Sequence, residues 1–197
     1  MSKLIAVAAL LAFAATSSAA IVMTEKVAVL PTGETQYKLN FAASEGWVIG
    51  GMDVSSSGGY AIEGNTVQVL LMGFLPTPTM TNAQYLGADL ARDTHFLVYD
   101  ADIGAGTAPG ETDTSLYGAW TITELSGKRA QIMDLVQIVV PFCKYVDYEI
   151  KVSHFNAELG TSVSQEFSGQ LHGIPEPGTL ALLGLGGLAA VLRRRRR

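Results

Sequence analysis

Short strand-like runs, separated by glycine-rich turns, fill the middle of this 197-residue chain. Residues 36–41 and 163–167 alternate between apolar and polar side chains, and residues 145–152 are rich in β-branched and aromatic types. Alternation with a period of two is typical of strands that bury one face. Turn-forming residues intervene, as at 55–59 and 104–110. The pattern predicts a mainly β domain, built as an antiparallel β-sandwich or a jelly roll.

Three segments depart from the strand pattern. Residues 82–91 and 128–135 have the composition of short helices. Residues 100–117 are polar and rich in glycine, which predicts a long exposed loop. No internal repeat of fixed period is evident, so we expect residues 21–174 to form one domain around one core.

Charge is distributed unevenly along the chain, whose formal net charge is −5. Residues 21–174 hold 17 of the 18 acidic residues but only seven of the 13 basic ones, so this region carries about −10. Nucleic-acid binding through a basic patch is therefore excluded. The single cysteine, Cys143, cannot form an intrachain disulfide. Its apolar surroundings predict a buried or half-buried thiol, with pairing between chains as the alternative.

The first 20 residues have the three parts of a secretory signal peptide. Lys3 supplies a positive start, residues 4–15 are an apolar run, and small residues follow up to Ala20. This order predicts export, with cleavage after Ala20 and a mature terminus at Ile21. The apolar run is short of the ~20 residues that a membrane-spanning helix needs.

The C-terminal end combines three features in a fixed order. Pro175, Glu176 and Pro177 precede an apolar segment, 179–192, which a block of basic residues follows. As a transmembrane helix this segment would rise about 21 Å, a marginal span for a hydrocarbon core of ~30 Å. The basic block should remain in the cytoplasm and stop translocation. It consists of Arg193, Arg194, Arg195, Arg196 and Arg197.

This order of Pro-Glu-Pro, short apolar helix and terminal arginine cluster resembles the PEP-CTERM sorting signal of Gram-negative and related bacteria. The resemblance covers residues 175–197 and implies that an exosortase-like transpeptidase recognises Pro175, Glu176 and Pro177 and removes the helix. Gly178 follows, where the family often has alanine or serine. The resemblance also implies transient anchoring in the inner membrane, and then release or attachment at the cell surface or in the exopolysaccharide matrix.

The middle domain also resembles a recurrent type of planctomycete-like secreted PEP-CTERM protein. The residues that carry this resemblance are Asp-Thr-His-Phe-Leu at 93–97 and Gln-Ile-Val-Val-Pro at 137–141. Those proteins have no assigned activity. The resemblance therefore implies no chemistry for residues 21–174.

Four acidic residues in the predicted loop are the best candidate metal ligands. Asp100 and Asp102 alternate before a glycine, and Glu111 and Asp113 follow in the same segment. Carboxylate oxygens placed in a turn suit calcium, which takes six to eight oxygen ligands. The EF-hand pattern is incomplete, so we favour a solvated acidic loop, with calcium binding as the alternative. We expect no other cofactor.

Three histidines, His95, His154 and His172, are the candidate bases of a hydrolase. No G-x-S-x-G elbow and no metal-binding histidine spacing accompany them, so we expect a protein that is not an enzyme. A hydrolase would need His95 or His154 within about 3 Å of a serine or carboxylate in a cleft.

Aromatic residues of the middle domain are candidates for stacking on sugar rings. They are Trp47, Tyr60, Tyr85, Tyr117 and Trp120. Aromatic residues in strands usually belong to the core, whereas a flat row on one sheet face would indicate a carbohydrate-binding module. The sequence thus predicts an exported structural or adhesive protein of the cell surface or matrix. A carbohydrate-binding module is the alternative, and a secreted hydrolase is the third possibility.

Overall fold

The computed structural model describes residues 19–68, 77–86, 89–112 and 114–174. These residues form ten strands, one short helix, α1 (Met80–Leu86), and three 3-10 helices. The mainly β, antiparallel fold that the periodicity predicts is confirmed. The strands are β1 (Ile21–Val29), β2 (Thr35–Ala43), β3 (Val48–Val54), β4 (Ala61–Gly64), β5 (His95–Phe96), β6 (Ile103–Thr112), β7 (Ser115–Ile122), β8 (Ile132–Val140), β9 (Tyr145–Asn156) and β10 (Thr161–His172).

The strands form two antiparallel sheets. Sheet A has the order β1-β2-β8-β5, and sheet B has the order β10-β9-β3-β7 with β6 beyond β7. Strand β4 continues the path of β3, because it also lies between β7 and β9. Its residue Ile62 pairs with Leu116 on one side and Tyr148 on the other. The chain crosses between the sheets five times, so each sheet combines segments that are distant in sequence.

One apolar core contains residues from both sheets. Phe41 of sheet A meets Phe167 of sheet B edge-on, with ring centroids 5.4 Å apart, and Phe96 meets Trp120 at 5.9 Å. Strand β9 includes residues 145–152, where β-branched and aromatic residues predict a strand, and every second side chain of β9 is buried. Burying one large apolar side chain stabilises a fold by about 1.5–3 kcal/mol, so this core holds the two sheets together.

The segment 100–117, for which the sequence predicts a loop, is mostly strand. Asp100–Asp102 forms a 3-10 turn, after which β6 and β7 form a hairpin at the edge of sheet B. The glycines of β6 are tolerated because the strand is an edge strand with two register shifts. In addition, the Tyr117 ring packs against its cross-strand partner Gly110, where an added Cβ would lie 2.5 Å from the ring. The polar, glycine-rich composition of this segment therefore belongs to an exposed edge strand and its hairpin, not to a loop.

Two further predictions need correction. Residues 128–135 are not helical, because β8 begins at Ile132 and pairs there with β2. The helix predicted at 82–91 exists in shifted and shorter form as α1. Strand β1 was not predicted, since its last six residues are all exposed and give no clear alternation. Among the described residues, no helix has the length and apolar character needed to cross a bilayer.

The long strands run between two poles of the domain. Strands β1 and β10 begin, and β2 and β9 end, at what we call the N-terminal pole. Strand β9 begins and β10 ends at the C-terminal pole, next to the start of β2. At about 3.3 Å per residue, the 12 residues of β9 separate the poles by roughly 36 Å.

Candidate functional site

Asp93 and His95 form a buried polar pair beside β5. His95 Nδ1 lies 3.2 Å from Asp93 Oδ2 and 3.1 Å from the Asp93 main-chain oxygen. The two side chains are 0% and 1% exposed, and His95 Nε2 lies 3.2 Å from the sulfur of Met80 on α1. The distance suits a base and its carboxylate. However, both side chains are buried in the protein interior.

Glu111 reaches the same buried region from β6. Its carboxylate accepts hydrogen bonds from the main-chain nitrogen and the hydroxyl of Thr77. With its amide turned, Gln68 donates both to Glu111 Oε2 and to the Thr94 main-chain oxygen, each at 3.0 Å. Burial, with a smaller contribution from the nearby Asp93 charge, raises the pKa of Glu111 to about 7. Glu111 therefore ties β6 to the segments that precede β5.

The described residues do not form the carboxylate shell that a calcium site requires. Asp100 and Asp102 lie in the 3-10 turn before β6, whereas Glu111 lies near the other end of that strand, up to about 30 Å away. Asp113 lies outside the described residues. In the part of the chain that the structure describes, no group of three or more His, Cys, Asp or Glu side chains could hold a metal ion.

His154 is a buried core histidine of β9. It is 0% exposed, and its ring lies 4.7 Å from the Trp47 ring, centroid to centroid. Neither ring nitrogen has a hydrogen-bond partner among the described residues, and burial lowers its pKa. His154 is therefore neutral at pH 7 and contacts neither a serine hydroxyl nor a carboxylate through these nitrogens. His172 is exposed on β10.

The outer face of sheet B carries a charged and aromatic cluster. Lys151 of β9 pairs with Asp53 of β3 on one side and Glu166 of β10 on the other. Tyr60 reaches across these strands, because its hydroxyl donates to Glu166 Oε1 at 2.6 Å and its ring centroid lies 5.7 Å from Lys151 Nζ. The bond to Glu166 is the main cause that raises the pKa of Tyr60 to about 12. Tyr60 thus remains a hydrogen-bond donor at neutral pH.

A loop at residues 55–60, between β3 and β4, positions Tyr60. Ser55 donates from its main-chain nitrogen and its hydroxyl to Asp53 Oδ1, at 2.9 and 2.5 Å. Gly58 packs so closely on the Tyr60 ring that an added Cβ would lie 2.7 Å from it. The sequence predicts a turn here. The loop interrupts the strand path that β3 and β4 share, and this interruption depends on the fold of the whole sheet. In the sequence, only the Ser-Ser-Ser-Gly-Gly-Tyr run indicates that the chain turns here.

An open cavity of about 460 Å³ lies between this loop and the β6–β7 hairpin. Tyr60 and Tyr117 form its aromatic walls, and Tyr117 is 40% exposed. We call it the serine cavity, because four serines line it: Ser55, Ser56, Ser57 and Ser115. Glu63, the cross-strand partner of Ser115, also lines it. The lining offers hydrogen-bonding groups and two rings for stacking.

The five aromatic candidates for sugar stacking separate into two groups. Trp47 and Trp120 belong to the core, with 5% and 2% exposure. Tyr60 and Tyr117 line the serine cavity. The side chain of Tyr85 lies outside the described part of the structure. Among the four candidates whose side chains are described, the two tyrosines of the serine cavity are the ones placed for stacking.

The predicted signal-peptide cleavage position lies at the N-terminal pole. The Ala20 main-chain oxygen accepts hydrogen bonds from the main-chain nitrogen and the hydroxyl of Ser44, at 3.0 and 3.1 Å. The Ile21 main-chain nitrogen donates to Gln165 Oε1 at 2.9 Å. Cleavage after Ala20 would make this nitrogen a terminal ammonium beside Gln165. Residues 1–18 of the predicted signal peptide lie outside the described residues.

Hydrogen bonds fix the chain to the C-terminal pole as far as Ile174. The Gly173 main-chain nitrogen donates to the Lys144 main-chain oxygen at 2.9 Å. The Ile174 main-chain nitrogen donates to Thr35 Oγ1 at 2.8 Å. Because Pro175 is the next residue, the domain ends directly at the predicted sorting motif.

Cys143 is exposed in the turn at the C-terminal pole, which corrects the expectation of a buried or half-buried thiol. Pro141 follows the last residue of β8, so the chain turns out of the core there. Cys143 has a φ of 56°, and its main-chain nitrogen donates to the Gly173 main-chain oxygen at 3.3 Å. The apolar sequence around Cys143 therefore gave a misleading indication of burial.

Comparison with protein families finds a match at the C-terminal end of the chain. The family model described as the PEP-CTERM protein-sorting motif matches residues 173–197. The chain carries a PEP-CTERM sorting motif. The match confirms the resemblance found in the sequence and supports sorting by exosortase, a membrane enzyme, to the cell surface. The motif residues 175–197 lie outside the described residues.

The comparisons do not extend to the middle of this PEP-CTERM protein. No curated protein and no solved structure matches the chain significantly. The resemblance of 93–97 and 137–141 to planctomycete-like secreted proteins therefore gains no support.

Proposed function

We propose that the protein is an exported, non-enzymatic β-sandwich that its C-terminal tail holds transiently in the inner membrane. An exosortase-like transpeptidase then removes the tail, and the domain acts as a structural or adhesive component of the cell surface or exopolysaccharide matrix. The observation that carries this proposal is the sorting motif at residues 173–197, which begins where the last hydrogen bonds of the domain are made. The core common to both sheets supports a sandwich.

The arrangement of the titratable groups supports a role without catalysis. His95 is enclosed with Asp93 and covered by Met80, and neither ring nitrogen of His154 has a hydrogen-bond partner among the described residues. A hydrolase needs its base in contact with both a nucleophile and the substrate. Among the residues described around it, the serine cavity has serine hydroxyls but no histidine.

The sorting step is tested with the Glu176→Gln variant in cells that contain an exosortase. Glu176 precedes the apolar segment, so the substitution should leave membrane insertion unchanged and impair recognition of the motif. We expect full-length chain to accumulate in the inner membrane. The matched control is Glu158→Gln, an exposed position at the N-terminal pole, which should be processed like the parent. Normal processing of the Glu176→Gln chain would contradict the proposal.

Deletion of residues 193–197 tests the stop-transfer role separately. An arginine at the bilayer centre costs about 2.5–3.5 kcal/mol on insertion scales, so removing five of them eases passage of the tail. We expect intact precursor beyond the inner membrane. If the shortened chain remains in the inner membrane, the arginines are not what holds it there.

Carbohydrate binding at the serine cavity is a second candidate function. The two tyrosines and four serines of one open cavity favour it, since aromatic rings and hydroxyls suit polyhydroxylated ligands. The test compares Tyr117→Ser with Tyr99→Ser, because the parent side chains are 40% and 41% exposed. We expect neutral polysaccharides cast in a native gel to retard the parent and the Tyr99→Ser variant but not Tyr117→Ser. Equal migration of all three proteins would exclude this candidate.

A further inference from the structure

Exposed apolar side chains surround the point where the chain leaves the domain. Phe142 is 46% exposed, Tyr145 is 48% exposed and Ile174 is 40% exposed. They are neighbours, because Gly173 packs against the Pro141 carbonyl so closely that an added Cβ would lie 1.9 Å from its oxygen. We call Phe142, Tyr145 and Ile174 the apolar rim of the C-terminal pole.

The length of chain beyond the rim limits how far the domain can stand from a membrane. Only residues 175–178 separate Ile174 from the apolar segment that begins at Thr179. Five fully extended Cα steps span about 17 Å, and the headgroup region on one side of a bilayer is about 5–8 Å thick. Since Ile174 is hydrogen-bonded to Thr35, the tether cannot lengthen without opening the pole. The N-terminal pole lies roughly 36 Å further away.

The charges near the rim are mixed, because Lys144 is basic whereas Asp147 on β9 and its cross-strand partner Glu63 are acidic. Lys144 is exposed in the same turn as Phe142. Glu34, in the turn that precedes β2, is paired with Arg92 at 2.6 Å, and its side chain is only 12% exposed. The pairing neutralises the carboxylate of this neighbouring turn, so it does not oppose approach to an anionic surface.

We propose that the apolar rim docks on the lipid interface of the membrane that holds the chain's own tail. Phe142 and Tyr145 then lie at the level of the headgroups, where aromatic side chains are enriched, at a depth of about 5–10 Å. This inference rests on the proposed function, because it requires residues 179–192 to be in the membrane. The docked pole would present Pro175, Glu176 and Pro177 to the transpeptidase from one orientation.

The single cysteine makes the inference testable on the full chain. Cys143 is exposed within the docking turn and can carry an environment-sensitive fluorophore without any other cysteine to block. The chain is reconstituted in vesicles of phosphatidylethanolamine and phosphatidylglycerol that contain lipids with a quencher near the headgroup. The matched control is Leu159→Cys with Cys143→Ser, because Leu159 is 67% exposed in the turn at the N-terminal pole. Resistance to alkaline extraction reports separately whether the tail is inserted.

We expect quenching and a blue-shifted emission at position 143 and neither change at position 159. Phe142→Ser combined with Tyr145→Ser should abolish the quenching at position 143 while the chain stays resistant to extraction. An inserted chain with no quenching at position 143 overturns the docking inference and leaves the anchoring proposal intact. Undiminished quenching in the double variant also overturns it, because the tether alone would then position the pole. A chain that alkali extracts completely overturns the proposed anchoring, and the docking inference with it.

Discussion

The two poles of the domain differ in how deeply they bury the chain that enters or leaves there. At the N-terminal pole, Ile21 is 3% exposed and the His154 ring is buried beside Trp47, with no hydrogen-bond partner for its nitrogens among the described residues. At the C-terminal pole, Ile174 is 40% exposed, and its main-chain nitrogen donates a hydrogen bond to the Thr35 hydroxyl. The first strand therefore contributes to the core, whereas the last residues form a junction at the surface. Loss of the tail should leave the core intact, and loss of Ile21 should not.

The largest expected difference between the poles is in apolar burial. Ile21→Ala should lower the free energy of unfolding by about 2–4 kcal/mol, because a buried isoleucine is truncated. Ile174→Ala should lower it by less than about 1 kcal/mol, since the side chain is already partly in water. Urea unfolding of the detergent-solubilised chain measures both values. Equal losses at the two positions would remove the contrast between the poles.

Close packing of Gly173 should give the next largest effect. Gly173→Ala places a methyl group against the Pro141 carbonyl and should destabilise the C-terminal pole by about 1–3 kcal/mol. The control is Gly106→Ala, where the nearest atom would lie 3.6 Å away. Thermal unfolding should show a lower midpoint for Gly173→Ala alone. A midpoint equal to that of the parent would mean that the junction is looser than its contacts indicate.

Glu111, which lies nearer the C-terminal pole, should make stability fall as pH rises. Its folded-state pKa is about 7 against an ordinary value of 4.5, so the folded chain keeps a proton that the unfolded chain loses. The associated stability is present below about pH 4.5 and is lost as pH rises through 7. After allowance for solvent screening, this loss is about 1–2 kcal/mol. Glu111→Gln should therefore be more stable than the parent at pH 8 and not at pH 4. A pH-independent difference would contradict this sign.

His154 should show the opposite and smallest dependence. Burial lowers its pKa, so the unfolded chain binds the proton more readily. Its contribution to stability is present above the ordinary histidine pKa of about 6.5 and is lost as pH falls below it. Relative to the parent, His154→Leu should gain stability between pH 7 and pH 5, whereas His172→Gln, at an exposed position, should not. Parallel pH profiles of all three chains would rule out a buried, uncharged His154.

The features that could be predicted from the sequence are those coded locally. Strand β9 alternates residue by residue, and the sorting motif is one contiguous segment, so both could be recognised without the fold. Strand β1 could not, because its exposed edge position removes the alternation that a half-buried strand shows. The apolar neighbours of Cys143 predict a buried thiol. Cys143 is exposed because the chain turns outward at Pro141.

The serine cavity could not be predicted, because distant segments assemble it. Ser55 and Tyr60 come from the loop between β3 and β4, whereas Ser115 and Tyr117 come from β7. The loop and β7 share no sequence pattern, and only the pairing of β7 with β3 and β4 brings them together. Of the candidate calcium ligands, Asp100 and Asp102 lie in the turn before β6 and Glu111 lies near the far end of that strand, so these three do not come together. Closeness in sequence does not bring side chains together when the chain between them is extended.

The most direct test of sorting is the intact mass of the protein recovered from the cell surface and from the inner membrane. The surface form should lack residues 179–197 and end at or next to Pro177, and the membrane form should keep Arg193 to Arg197. A surface form that retains the five arginines would contradict removal of the tail by a transpeptidase.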